Sequence, residues 1–149
     1  MRVLITGSRD WEDEDLIQRT LSLLHQSGET TVPLLPMDAE VRFDGRIHVV
    51  VTGKCPTGAD LMAEEWANAY GVEVVTYPAD WDKHGRGAGL ARNSVMVKQG
   101  ADVCMAYGGA CAKKRCKRAA YPHCSHGTLH CASLAVDANI PTAMHRLGW

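Results

Sequence analysis

RVLITGSRDW, at residues 2–11, joins an apolar run to a polar turn. Val3, Leu4 and Ile5 read as a buried strand, and Thr6, Gly7 and Ser8 as the turn that ends it. Asp13, Glu14 and Asp15 come next, and Leu16, Ile17, Leu21 and Leu24 then recur at helical spacing. The pattern predicts a helix over 14–26, stopped at Ser27 and Gly28. A strand, a tight turn and a helix start present backbone N–H groups, and the positive end of a helix dipole, to an anion.

The same order recurs along the chain. IHVVV at 47–51 predicts a second core strand, and a turn follows that carries Gly53 and Gly58. A helix is expected over 59–70, with Thr57 as its cap and Gly58 permitting close backbone approach. VEVVTY at 72–77 predicts a third strand, stopped by Pro78. Residues 79–89, ADWDKHGRGAG, read as a loop by composition. A helix over 90–99 and a strand over 103–107 come next, the strand ending at Gly108 and Gly109. Gly127 and Thr128 open a last helix to about 138, and a short strand over 140–144 closes the pattern. Alternating helices and buried-type strands predict an α/β fold, a three-layer sandwich around a mainly parallel sheet.

Two segments interrupt this order. Residues 29–45 hold Pro33, Pro36 and an Asp44-Gly45 pair, and are long for an α/β connection. They read as surface decoration with a short hairpin of 40–43 against 46–50; a lid or a dimer element is the other reading. Residues 110–126 form a Cys/His-rich insert.

Composition sets the outer bounds. The 149 residues suffice for one domain with a sizeable core. A net charge of −1 lacks the basic excess that duplex nucleic acid asks for, so nucleic-acid binding is not expected. No apolar run approaches the roughly 20 residues of a membrane span. No signal-peptide pattern appears either, and the expected setting is cytoplasmic. There, six cysteines do not predict a disulfide scaffold.

The glycine-bearing turns at Gly7-Ser8, at Gly53 to Gly58, and at Gly108-Gly109 with Gly127-Thr128 should converge on one edge of a parallel sheet. Neither GxGxxG nor GxxxxGK[ST] is present, which disfavours a dinucleotide enzyme or a P-loop ATPase and leaves a mononucleotide or its derivative. No NAD, FAD or haem is expected. Arg9, Arg86 and Arg92 offer forked donors to phosphate or carboxylate. Arg92 stands out, because a cation in a helix's first turn opposes the dipole; its bland reading is a salt bridge to Asp60 or Asp80. Asp60 lies in a first turn, where support of the helix start would explain it. Asp80 sits in a loop with little evident structural duty. Trp81 and Trp11 each either cover a base or plug the core.

Cys111, Cys116, Cys124 and His126 give a C-x4-C-x7-C-x-H pattern. Thiolates and imidazole suit zinc in a closed, structural four-ligand site, and Lys113, Lys114, Arg115, Lys117 and Arg118 would offset the thiolate charge. The other reading is a basic loop with free thiols. Cys131, at helical depth, is expected in the core.

Taken together, GSRDW, GxxxTGADxxAxxWA at 53–67, PADWxxxGxxAGxxRNxxM at 78–96 and a late GT before a helix resemble the YspA-like branch of the SLOG superfamily. The likeness covers most of the chain apart from 29–45 and the Cys/His insert. It implies a Rossmann-like fold over 1–149, a nucleotide or nucleotide-derived ligand, a homo-oligomer such as a dimer, and a bacterial or phage setting. The superfamily includes LOG phosphoribohydrolases, whose PGGxGTxxE signature grips phosphate and supplies a catalytic glutamate. Here Tyr107-Gly108-Gly109 matches the first half and Gly127-Thr128 the second, while Cys131 falls on the glutamate position. Arg92 matches the arginine of the preceding helix, and Asn93 follows it. The resemblance thus implies a nucleotide binder, a sensor or ligand-processing module. Its alternative is a nucleoside 5′-monophosphate N-glycosidase, with Asp80 stabilising positive charge at the anomeric carbon and Arg92 orienting the ribose or phosphate. A weaker alternative is a DprA-like factor for single-stranded DNA.

Overall fold

The computed structural model describes residues 1–30, 34–35, 41–114, 116–117 and 125–147. In chain order, β1 (Arg2–Gly7), α1 (Glu14–Ser27), β2 (Glu29–Thr30), β3 (Leu34–Leu35), β4 (Val41–Arg42), β5 (Val49–Thr52) and α2 (Gly58–Ala69) come first. Next are β6 (Glu73–Thr76), α3 (Trp81–His84), α4 (Ala88–Lys98), β7 (Val103–Gly109), α5 (His126–Asp137) and β8 (Thr142–Leu147). The main sheet runs β3-β8-β7-β1-β5-β6. Its neighbours pair in parallel except β3, which lies antiparallel to β8.

The apolar runs form central strands because both of their faces are covered. Side chains alternate across a strand. Val3 and Ile5 therefore join Ile17, Leu21 and Leu24 of α1 and Ala63 and Trp66 of α2 in one core layer. Leu4 and Val51 meet Met96 and Val97 of α4 and Cys131 and Ala135 of α5 in the other. Each fully buried leucine or isoleucine here contributes about 1.5–3 kcal/mol. The result is the expected three-layer α/β sandwich.

Local signals set the ends of α1. The Asp13 carboxylate accepts from the Leu16 N–H at 2.9 Å, and Gly28 adopts a left-handed φ of 70° while its N–H bonds the Leu24 carbonyl.

Several expectations need correction. Of the expected hairpin of 40–43 against 46–50, residue 40 lies outside the described residues, and the described part does not pair that way, because β1 and β6 occupy both edges of β5. Val41–Arg42 instead pairs with Glu29–Thr30, where Arg42 and Glu29 form an ion pair. Residues 29–45 are also more than decoration, since Leu34–Leu35 adds an edge strand to the main sheet. The loop expected over 79–89 contains α3, then a 3₁₀ turn at Gly85–Gly87, and α4 begins at Ala88. Strand β7 continues through Gly108 and Gly109, which pair with Arg146 and Leu147 of β8; the glycines are a strand end and not a turn. The last strand runs over Thr142–Leu147, later than expected.

Candidate ligand cavity and metal centre

Parallel sheets open a crevice where the chain leaves adjacent strands in opposite directions. Here β1 leads to β5 on one side, while β7 lies on its other side and leads outward to β8. A cavity of about 1050 Å³ opens over this switch point.

Ser8 holds its floor. The Ser8 N–H donates to the Tyr107 carbonyl at 2.9 Å, and the Ser8 carbonyl accepts from Trp11 and Ala59. The Ser8 hydroxyl accepts from the Gly109 N–H at 2.8 Å and donates to Ser125 Oγ at 2.9 Å. Ser125 and Thr128 hydroxyls lie 2.7 Å apart. A chain of three hydroxyls thus links the turn after β1 to the start of α5. Gly58, at φ 70°, lets α2 enter beside this turn, because a Cβ there would overlap the Ser8 carbonyl oxygen. Thr57 does not cap α2 through its side chain; its hydroxyl donates to the Arg9 carbonyl at 2.9 Å and ties two turns together.

Arg9, Lys54, Arg86, Arg92 and Lys113 line the cavity, against the carboxylates of Asp10 and Asp60. The Arg92 guanidinium donates to the Gly53 and Tyr77 carbonyls and to Asn93 Oδ1. These bonds, rather than a salt bridge to Asp60 or Asp80, fix its position, and a Cβ on Gly53 would overlap it. Asn93 is buried and its amide donates to the Gly127 carbonyl at 3.2 Å, joining α4 to α5. Arg86 stands exposed on the rim. Trp81 lines the cavity with 52% of its surface exposed, and the Arg9 guanidinium lies 5.8 Å from its ring centre. Trp11 instead plugs the core, edge-on to Tyr107.

The carboxylates divide by environment. Asp60 is buried and accepts from the Gly53 and Cys55 N–H groups at 3.1 and 3.2 Å. Burial pushes its carboxyl up to about 6, against the lowering effects of the Cys55 bond, the Arg92 charge and the Gly53 bond. Glu64 is engaged by the Thr52 hydroxyl at 2.6 Å and the Lys54 ammonium at 3.0 Å. Asp80 has the structural duty that its sequence context did not reveal: it caps α3, accepting from the Lys83 N–H at 3.0 Å. Asp80 is not among the described residues that line the cavity. Gly108 also stays out of the lining, while Gly127 and Thr128 belong to it. Cys131 is buried, and burial pushes its thiol up to about 11, so it stays protonated at neutral pH.

At one wall the ligand atoms of Cys111, Cys116 and His126 all lie within 4.8 Å of one another. Cys116 Sγ is 3.2 Å from His126 Nε2. Two thiolates and an imidazole suit zinc. Cys124, the fourth ligand expected from spacing, lies outside the described residues. Cys111 and His126 also line the cavity, so the metal centre and the cavity share a wall.

Two contributors escaped the sequence reading. Ser125 stands where a helix-capping serine belongs, and that signal could have found it. Lys54 adopts φ 58°, for which its sequence context carries no signal.

A parallel sheet with helices on both faces and a basic crevice at its switch point defines a Rossmann-like protein. The chain belongs to the YspA, cpYpsA-related SLOG family, whose model matches residues 38–84. It is 36% identical over 146 residues to the Gene 61 protein of Mycobacterium phage D29, covering 94% of this chain and 92% of that protein. No solved structure matches the chain. Among the described residues, no helix is long and apolar enough to cross a membrane.

Proposed function

We propose that this chain is one nucleotide-binding domain, a sensor or ligand-processing module for a nucleotide or nucleotide derivative. The observation that carries this reading is the meeting of Gly7-Ser8, Gly53 and Gly127-Thr128 around one cavity at the switch point. Phosphate sits against the first turn of α5, where N–H groups lack intrahelical partners. Arg92 orients the ribose or phosphate, and Trp81 with Arg9 covers the base. A Cβ on Gly127 would meet nothing within 4 Å, so the fold does not require glycine there. Gly127→Ala should therefore keep its melting temperature and lose roughly tenfold or more in affinity for 5′-AMP by calorimetry. Unchanged affinity would remove phosphate from this turn.

A second reading, N-glycosidic hydrolysis of a nucleoside 5′-monophosphate, draws support from Asp60, a buried carboxyl raised to about 6 beside the Arg92 charge. In this reading Asp60, rather than Asp80, stabilises positive charge at the anomeric carbon. Release of free base from 5′-AMP, followed chromatographically, should then vanish in Asp60→Asn while binding persists. Release at the wild-type rate would end that role.

We also expect a homodimer. Leu90 and Val95 of α4 are exposed, Leu90 where it lines the cavity, and light scattering should give twice the chain mass.

A further inference from the structure

The Cys/His insert leaves the sheet and returns to it at one neck. Strand β7 ends at Gly109, and the Ser125 N–H donates to the Gly109 carbonyl at 3.0 Å. Cys111 lies just beyond Gly109, and His126 follows Ser125 as the first residue of α5. The Cys116 N–H bonds the Lys113 carbonyl at 3.3 Å, in a turn that carries its thiol to 3.2 Å from His126 Nε2. An ion on Cys111, Cys116 and His126 therefore ties the exit of β7 to the start of α5, whatever else completes its shell. That start is weakly fixed by its own sequence. The Ser125 side chain does not cap α5; its hydroxyl meets those of Ser8 and Thr128 instead. Gly127, in the first turn, is a poor helix former. The Asn93 amide holds the Gly127 carbonyl from the side of α4. The metal supplies the hold on the side of β7.

We propose that the metal centre regulates the ligand cavity: zinc fastens His126 and thereby sets Gly127 and Thr128 for phosphate, and loss of zinc loosens that turn and weakens binding. The proposal rests on the nucleotide reading above and adds its regulation. Ordering the turn in advance removes a cost that the ligand would otherwise meet on arrival. The effect is mutual. By whatever factor zinc raises the affinity for nucleotide, nucleotide raises the affinity for zinc by the same factor. Zinc uptake releases the protons of the coordinating thiols and changes no bond in the nucleotide.

The test compares the full chain loaded with zinc and the same chain after a chelator has removed it. A chain that takes up no zinc overturns the proposal at once. Amide hydrogen exchange should quicken at Gly127, Thr128 and Leu129 when zinc leaves, and stay slow at Leu21 and Leu24 of α1. Unchanged exchange at the turn would overturn the fastening. Faster exchange in α1 as well would make the ion a support of the whole fold, and overturn a local role. Equilibrium dialysis should show the affinity for 5′-AMP falling roughly tenfold without zinc. Competition with a chromogenic chelator should show 5′-AMP raising the affinity for zinc by that same factor. Equal affinity of both forms for 5′-AMP sinks the regulation and leaves the nucleotide reading standing. No binding to either form sinks the nucleotide reading, and the regulation with it.

Discussion

Two glycines at nearly the same φ separate backbone strain from crowding. Gly58 and Gly71 sit at φ 70° and 67°. A Cβ at Gly58 would overlap the turn after β1, whereas one at Gly71 would meet nothing within 4 Å. Gly71→Ala should cost about 1–2 kcal/mol of left-handed strain, and Gly58→Ala clearly more, by chemical denaturation. Equal losses would show that the turn yields. Two buried titrating groups oppose each other. Asp60 is raised to about 6, so its contribution is complete below the unfolded carboxylate range and is lost as pH rises through about 6. Burial lowers His145 to about 4, and its Nε2 has no hydrogen-bond partner among the described residues. Its contribution is complete above the unfolded imidazole range and is lost as pH falls through about 4. Between about pH 4 and 6 the two nearly cancel. Asp60→Asn should expose a stability that falls steadily with acid across this window, measured by thermal melts. A profile identical to that of the unaltered chain would contradict the burial argument.

At the scale of elements, α3 shows what a single cap does. It is four residues long and carries Trp81 to the rim. Asparagine caps as well as aspartate, and alanine does not. Asp80→Asn should leave 5′-AMP binding unchanged, while Asp80→Ala weakens it severalfold by calorimetry; equal effects would separate Trp81's position from the cap. The same element marks the limit of what the sequence made legible. Val3-Leu4-Ile5 and Ile47 to Val51 announced central strands because a run buried on both faces is a local property. Trp81–His84 was hidden by its glycine-rich surroundings, and its helix depends on one carboxylate. The pairing of β3 with β8 joins residues more than a hundred positions apart, so no local pattern could declare it. The site divides the same way. Gly53, Gly58 and Arg92 were visible as residue types beside turns. That Arg92 would spend its donors on the Gly53 and Tyr77 carbonyls required the fold.

At the scale of the molecule, the switch point brings the ends of β1 and β7 to one opening, and the helices after β5 and before β8 deliver their first turns to it. A ligand there touches several otherwise separate elements. Saturating 5′-AMP, at a hundred times its dissociation constant, should stabilise the whole chain by about 2.7 kcal/mol. A melting curve unmoved by 5′-AMP would mean that the opening takes something else. The chain of hydroxyls at its floor adds a directional demand. Each hydroxyl has one proton to give. The Gly109 N–H occupies the Ser8 oxygen, and Ser8 gives its proton to Ser125. Either hydroxyl of the Ser125–Thr128 pair can give the next proton; when Ser125 gives it, the Thr128 proton is left for whatever enters the space it lines. So arranged, the row runs one way and terminates in a giver. An incoming oxyanion selects this arrangement by accepting the last proton, and so sets the direction of the whole row.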